Sequence, residues 1–232
     1  MIIFVKVRND EGNLYDSYDD YWKLVNLSKF ESCELDEVNP NSENIYVFSP
    51  DNGNVKECCK REHKAKYILW QMERGIEGAI KDYFDEIWVS DRYFHSLINH
   101  PKCKYVILGG HLSLGGRPKE PKKWDYVHLS YLLGRRKEKI DNLIKEGYTI
   151  APNGWGEVKE KSLAYSKMGI CFHQDEMPII EPLRYVLFAC WKLPMLAEFS
   201  QDFFPYTPLN AQENYKLMTE KYTFRKCVEG AV

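Results

Sequence analysis

Short runs of β-branched and aromatic residues recur along this chain, separated by segments in which apolar residues fall at helical spacing. That alternation restricts the possible folds more than any other feature. Ile2–Val7, Ile45–Phe48, Lys66–Trp70, Glu86–Val89 and Tyr105–Leu108 read as strands, with few polar positions inside them. Between them, Asp16–Phe30 carries Tyr18, Tyr21, Trp22, Leu24 and Val25 on one helical side, and Gly75–Phe84 and Asp91–Leu97 also read as helical. A polar stretch runs from residue 31 to Glu43, and Ser49-Pro50-Asp51-Asn52-Gly53 reads as a turn. Strand and helix in regular succession predict an α/β fold built on parallel sheet.

The pattern breaks at Gly109-Gly110-His111-Leu112-Ser113-Leu114-Gly115-Gly116-Arg117-Pro118, which reads as a flexible linker. It then restarts. Tyr126–Leu129, Tyr148–Pro152, Gly169–Phe172 and Pro194–Ala197 read as strands. Arg135–Glu146 closes on Gly147, a C-terminal glycine, and Lys159–Ser166, Ile179–Trp191 and Leu209–Lys221 are the other expected helices. The expected organisation is two small α/β halves, residues 1–115 and 116–205, followed by a helical tail at 206–232.

Composition narrows the function. With 44% hydrophobic and 28% charged residues, a packed core is expected and global disorder is excluded. The net charge of −2 excludes binding to nucleic acid by bulk charge. The charge is unevenly spread, however. Between residues 100 and 123, Lys102, Lys104, Arg117, Lys119, Lys122 and Lys123 face a single acidic residue, Glu120. No run approaches the roughly 18 apolar residues of a membrane span, and Met1–Val5 is too short for a signal peptide. The seven cysteines are odd in number and irregularly placed, which fits reduced thiols and a cytoplasmic location. Cys58-Cys59 with His63 lacks a second pair at zinc-site spacing, so no metal is expected. Neither Gly-x-Gly-x-x-Gly after the first strand nor a Walker A motif is present, which disfavours dehydrogenases and NTPases.

Parallel sheets bind ligands beyond the carboxyl ends of their strands. After the strand ending near Leu129 comes Gly134-Arg135-Arg136-Lys137, a glycine turn into a helix. Its free N–H groups and dipole favour an anion, and cations on a first turn oppose that dipole unless an anion offsets them. The alternative is a solvated basic face. The run Cys171-Phe172-His173-Gln174 leads through a polar loop to Ile180-Glu181-Pro182-Leu183-Arg184. There Glu181 is either a favourable charge at a helix start or a carboxylate that accepts from a ribose diol. Asn153-Gly154-Trp155 follows the strand between these two blocks.

Met168–Gln174, Ile180–Arg184, Ala189, Leu193-Pro194-Met195 and Ala197-Glu198, in that order, resemble the donor-binding block of GT-B glycosyltransferases across about residues 125–200. The resemblance implies two Rossmann-like halves facing a cleft and transfer of a sugar from a nucleotide-diphosphate sugar. Donor contacts would come from Arg135, Arg136, Asn153, His173, Gln174, Glu181 and Arg184. The nucleotide sugar is a co-substrate, and no further cofactor is implied. Acceptor contacts do not carry over, because Arg8-Asn9-Asp10-Glu11-Gly12 after the first strand lacks a glycine-rich loop. The candidates for a catalytic group are Glu73, Asp91 and His173, with Asp16, Asp19 and Asp20 behind them. Asp91 is read first as a helix N-cap. The compact size resembles phage enzymes that glycosylate modified bases in DNA, which with the basic stretch makes DNA one expected acceptor, beside a saccharide or a small molecule. The rival expectation is a non-catalytic nucleotide-binding protein on a degenerate scaffold of the same kind.

Overall fold

The computed structural model describes residues 1–8, 18–49, 53–60, 62–71, 83–173, 176 and 178–232. The chain divides into one unit of Met1–Ile107 with Val228–Val232, and a second of Leu108–Cys227.

In the first unit the apolar runs become strands: β1 (Ile2–Lys6), β3 (Ile45–Phe48), β4 (Lys66–Gln71), β5 (Glu86–Val89) and β6 (Cys103–Tyr105). A further strand, β2 (Glu31–Glu34), lies in the stretch read as merely polar. They form one parallel sheet in the order β2-β1-β3-β4-β5-β6. Alternate side chains of a strand point to opposite faces. On one face Ile3, Val5, Tyr46, Phe48, Tyr67 and Leu69 pack with Phe84. On the other, Phe4 meets Tyr21 of α1 (Asp19–Leu27) at 6.0 Å between ring centroids, Tyr21 meets Trp70 at 6.2 Å, and Trp70 meets Trp88 at 5.2 Å. Both faces are therefore covered, as a parallel sheet requires. The buried Trp70 indole N–H donates to Ser90 Oγ (2.9 Å), which donates to the Val106 carbonyl (2.7 Å). Two short helices complete the described part of this unit, α2 (Gly53–Cys59) and α3 (Arg92–Ile98). The helix expected at Gly75–Phe84 lies almost wholly outside the described residues.

The second unit holds β7 (Trp124–Val127), α4 (Gly134–Lys145), α5 (Glu157–Tyr165), β8 (Ser166–Cys171), α6 (Pro182–Cys190) and β9 (Met195–Ala197). After β9 come α7 (Ala211–Lys216), a π-helical turn (Leu217–Lys221) and α8 (Phe224–Glu229), whose last residues belong to the first unit. The sheet is parallel in the order β7-β8-β9. The strand expected at Tyr148–Pro152 shrinks to a parallel bridge from Tyr126 to Ile150. Ile150 follows β7 in the chain but sits on the side of it away from β8. The chain therefore winds one way to Ile150 and the other way to β8 and β9, which puts a topological switch point between β7 and β8.

Residues 109–116 are not the free linker their glycines suggested. Gly110 exchanges backbone hydrogen bonds with Tyr222 (3.0 Å) and Phe224 (2.7 Å). A Cβ on Gly115 would come within 1.9 Å of the Cys190 carbonyl oxygen, so glycine is required there for close backbone approach. The segment read as a separate tail also packs into the second unit, where Met218 and Phe224 are wholly buried. Among the described residues, no helix is long and apolar enough to cross a membrane.

Candidate functional site

The carboxyl ends of β7, β8 and β9 carry His128, Phe172-His173 and Glu198 as their first or second following residues. The first turns of α4 and α6 meet them there. Neither helix has a side-chain cap at its N-terminus, although each starts on an extended residue, Leu133 and Glu181 respectively. Pro182 at the first position of α6 supplies the fixed backbone angle a helix start favours.

Two ion-pair groups organise this end of the sheet. In the first, Arg136 of α4 is buried, with its side chain 5% exposed. Its Nε donates to the Phe172 carbonyl at 3.1 Å and its Nη2 to Glu181 Oε1 at 2.5 Å. Arg184, in the first turn of α6, donates Nη2 to the other oxygen, Glu181 Oε2. His128 lies 1% exposed beside them. Its Nε2 is 2.8 Å from Ser130 Oγ, and its Nδ1 bonds no protein group among the described residues. Burial, then the charges of Arg184 and Arg136, push its pKa down to about 3, so the imidazole is neutral. In the second group, Arg135 donates through both terminal nitrogens to Glu198, and Lys139 Nζ lies 3.1 Å from Glu198 Oε1. The hydrogen bonds from Arg135 lead in holding the Glu198 carboxyl down to about 2. Glu198 Oε2 also accepts from the His173 amide at 3.1 Å.

Most of the donor-side residues expected from sequence thus meet at one place. Arg136, Glu181 and Arg184 form one cluster, and Arg135 and His173 converge on Glu198. His173 is 5% exposed, and its Nε2 lies 2.8 Å from the Phe199 carbonyl and 3.1 Å from Ser200 Oγ. Asn153 Nδ2 donates to the Ser130 carbonyl at 2.9 Å, joining the loops after β7 and before α5, and Trp155 stands 42% exposed two residues on. Gln174 and Glu73 lie outside the described residues, as does Asp16. Asp91 is 2% exposed at the start of α3, where its Oδ1 accepts from the Phe94 amide at 2.6 Å; it is the N-cap of that helix.

The sequence offered Arg135 and Arg136 either to a bound anion or to solvent; in the structure Arg135, Arg136 and Arg184 each hold a carboxylate of the chain itself. Arg136 and Arg184 are buried, and a buried guanidinium must be compensated. Sequence reading missed His128 and gave Glu198 no role. Each is the first residue after its strand, and applying the strand-end rule to β7 and β9 singles out both.

The basic stretch is similarly engaged with the chain itself. In the first unit Lys102 Nζ donates to the Phe84 carbonyl (2.9 Å) and Lys104 Nζ to Glu86 Oε1 (2.9 Å). In the second, Lys122 Nζ donates to the Ala164 carbonyl (3.2 Å) and Lys123 lies 4.5 Å over the Tyr165 ring. Among the described residues no group of three or more His, Cys, Asp or Glu side chains is arranged to hold a metal ion.

No protein-family model matches the chain, and no curated protein matches it. Solved structures do. TarM superposes with a TM-score of 0.56 at 10% identity, over 84% of this chain and 55% of its own. The GtfA/B complex gives 0.44 at 12% identity, over 82% and 56%. The pneumococcal O-GlcNAc transferase GtfA in complex with UDP and GlcNAc gives 0.41 at 12% identity, over 85% and 52%. The chain spans about half the length of these structures. The likeness to TarM shows a shared fold, a mixed α/β architecture on parallel sheets.

Proposed function

We propose that this chain is a glycosyltransferase of the GT-B kind that takes its sugar from a nucleotide-diphosphate donor bound at the carboxyl end of the β7-β8-β9 sheet. The observation that carries this reading is the Arg136–Glu181–Arg184 cluster at the switch point, within a fold shared with TarM. Sugar transfer leaves a nucleoside diphosphate, and negative charge grows on it as the glycosidic bond breaks. Groups placed where that charge develops lower the barrier. The first turn of α4 offers uncapped backbone N–H groups and the positive end of a helix dipole, beside Arg135 and Lys139, each about a third exposed. Glu181, 35% exposed, is the acceptor for the ribose hydroxyls. On this reading Asn153 and Trp155 contact the base, and His173 and Gln174 the sugar or diphosphate. The first unit takes the acceptor side, with Glu73 as candidate base and a modified base in DNA as one acceptor class; a phage-type enzyme in the host cytoplasm is the corresponding setting. All seven cysteines stand as thiols, in keeping with a reducing compartment.

A thermal-shift series with nucleoside diphosphates and nucleotide sugars tests the donor site. One of them raises the melting temperature by mass action, and Glu181→Ala abolishes the rise. No rise with any of them at millimolar concentration sinks the proposal. Turnover with duplex DNA carrying hydroxymethylated bases, set against oligosaccharide and small-molecule acceptors, sorts the acceptor classes. The second reading, a nucleotide binder without transfer, draws on the engagement of both Glu181 oxygens and of Arg135 within the chain. Slow release of free sugar from the bound donor belongs to the enzyme and not to the binder.

A further inference from the structure

Arg184 occupies a position that the fold alone does not favour. It is a cation in the first turn of α6, where it opposes the helix dipole. Its side chain is 7% exposed, so the charge is largely withdrawn from water. Its Nε is buried and bonds no protein group among the described residues. A methionine would fill similar volume without these penalties. What the arginine supplies instead is a hydrogen bond from Nη2 to one oxygen of Glu181, with Arg136 holding the other oxygen from α4. Glu181 is the N-cap residue of α6 yet makes no cap bond; its carboxylate meets these two guanidiniums instead, one on α4 and one on the first turn of α6. A carboxylate offers about four lone-pair directions. With one guanidinium on each oxygen and 35% of the side chain exposed, the remaining directions face outward in a fixed geometry.

We propose that Arg184 is a positioning residue: together with Arg136 it fixes the Glu181 carboxylate so that both oxygens meet a vicinal diol, and so makes the site select a ribonucleoside diphosphate over its 2′-deoxy counterpart. This rests on the donor-site reading above. Arg184 acts through Glu181 and need not touch the nucleotide.

The experiment is calorimetric titration of the full chain with UDP, GDP and ADP, and with the 2′-deoxy form of whichever binds most tightly. The unaltered chain prefers the ribose form by about tenfold or more, the size of a lost hydrogen bond to a charged group. In Arg184→Met the preference falls below about threefold, because the ribose form loses both of its well-placed hydrogen bonds to Glu181 while the 2′-deoxy form has only that of its 3′-hydroxyl to lose. Arg184→Lys restores part of the preference. In a Glu181→Gln background, Arg184→Met changes the ratio no further, since the two residues act as one unit. Melting temperatures are recorded in parallel. If Arg184→Met does not fold, the lysine variant decides, and a full preference in it overturns the proposal. Nucleotide binding with an undiminished ribose preference in a folded Arg184→Met overturns this inference alone. An absence of binding by the unaltered chain overturns the donor-site reading, and this inference with it.

Discussion

The two sheets solve the same packing problem with different chemistry. The first buries aromatic and aliphatic side chains on both faces, and its buried polar side chains among the described residues, Asp20, Ser28, Ser49, Gln71, Ser90 and Asp91, include no cation. Every buried basic side chain among the described residues belongs to the second unit: His128, Arg136, Lys159, His173 and Arg184. Four of these gather at the carboxyl ends of β7 and β8, where an α/β sheet binds its ligand. A buried guanidinium is poor evidence of stabilisation, because hydrophobic replacements are often as stable. The contrast therefore separates a region shaped by packing from one whose buried charge packing alone does not account for.

The sharpest way to break this contrast is to truncate one anchor on each side. Trp70→Ala empties the middle of the first unit's aromatic face and should cost about 3–5 kcal/mol in denaturant unfolding, while folded protein keeps its nucleotide affinity. An affinity change of tenfold or more would deny the division of labour. Glu181→Ala leaves two guanidiniums without their carboxylate. Its cost should be about 3 kcal/mol, the low end for breaking a buried pair because the carboxylate is partly exposed, and the nucleotide-induced rise in melting temperature disappears with it.

A smaller effect concerns pH. His128 is neutral when folded, with its pKa down to about 3, and gains a proton more readily when unfolded, near the ordinary 6.5. Its contribution is therefore complete above pH 6.5 and is lost as pH falls toward 3. At pH 5 the loss should be about 1–2 kcal/mol, from roughly one and a half pH units at 1.4 kcal/mol each. Comparing unfolding of the unaltered protein with His128→Gln from pH 7 to 5 checks this: the variant's curve should be flatter. Equal slopes would place the imidazole in a more solvated setting. Smallest is Asp91→Ala, which removes the cap of α3 and should cost about 1 kcal/mol, with no loss of sugar transfer once transfer is measurable. A collapse of turnover with unchanged stability would return Asp91 to the catalytic group.

The parallel sheets were legible because their strands are buried on both sides, so runs such as Ile45–Phe48 and Ile87–Val89 appear as unbroken apolar stretches. The strand Glu31-Ser32-Cys33-Glu34 was not, since it lies on an edge, is only partly buried, and carries charged and polar residues at three of its four positions, leaving no apolar signal. Residues 109–116 misled for a related reason. Glycine needed for close approach and glycine marking a loose linker look identical until the Cys190 carbonyl is placed against Gly115. At the candidate site, Arg136, Glu181 and Arg184 could be picked out from strand ends and helix starts, rules that act over a few neighbouring residues. Which carboxylate each arginine holds could not, because Glu181 and Glu198 approach α4 across 45 and 63 residues of chain.

The last residues, Val228–Val232, belong to the first unit, where Lys104 Nζ reaches the Ala231 carbonyl at 3.3 Å. That unit is therefore discontinuous in the order of synthesis. On a ribosome adding about 5–20 residues per second, the strands of the six-stranded sheet emerge first but wait for some 120 further residues before their closing segment arrives. The second unit runs to Cys227, the residue just before that segment, so the two units become complete almost together. The first unit accordingly loses the head start that N-terminal-first synthesis usually gives.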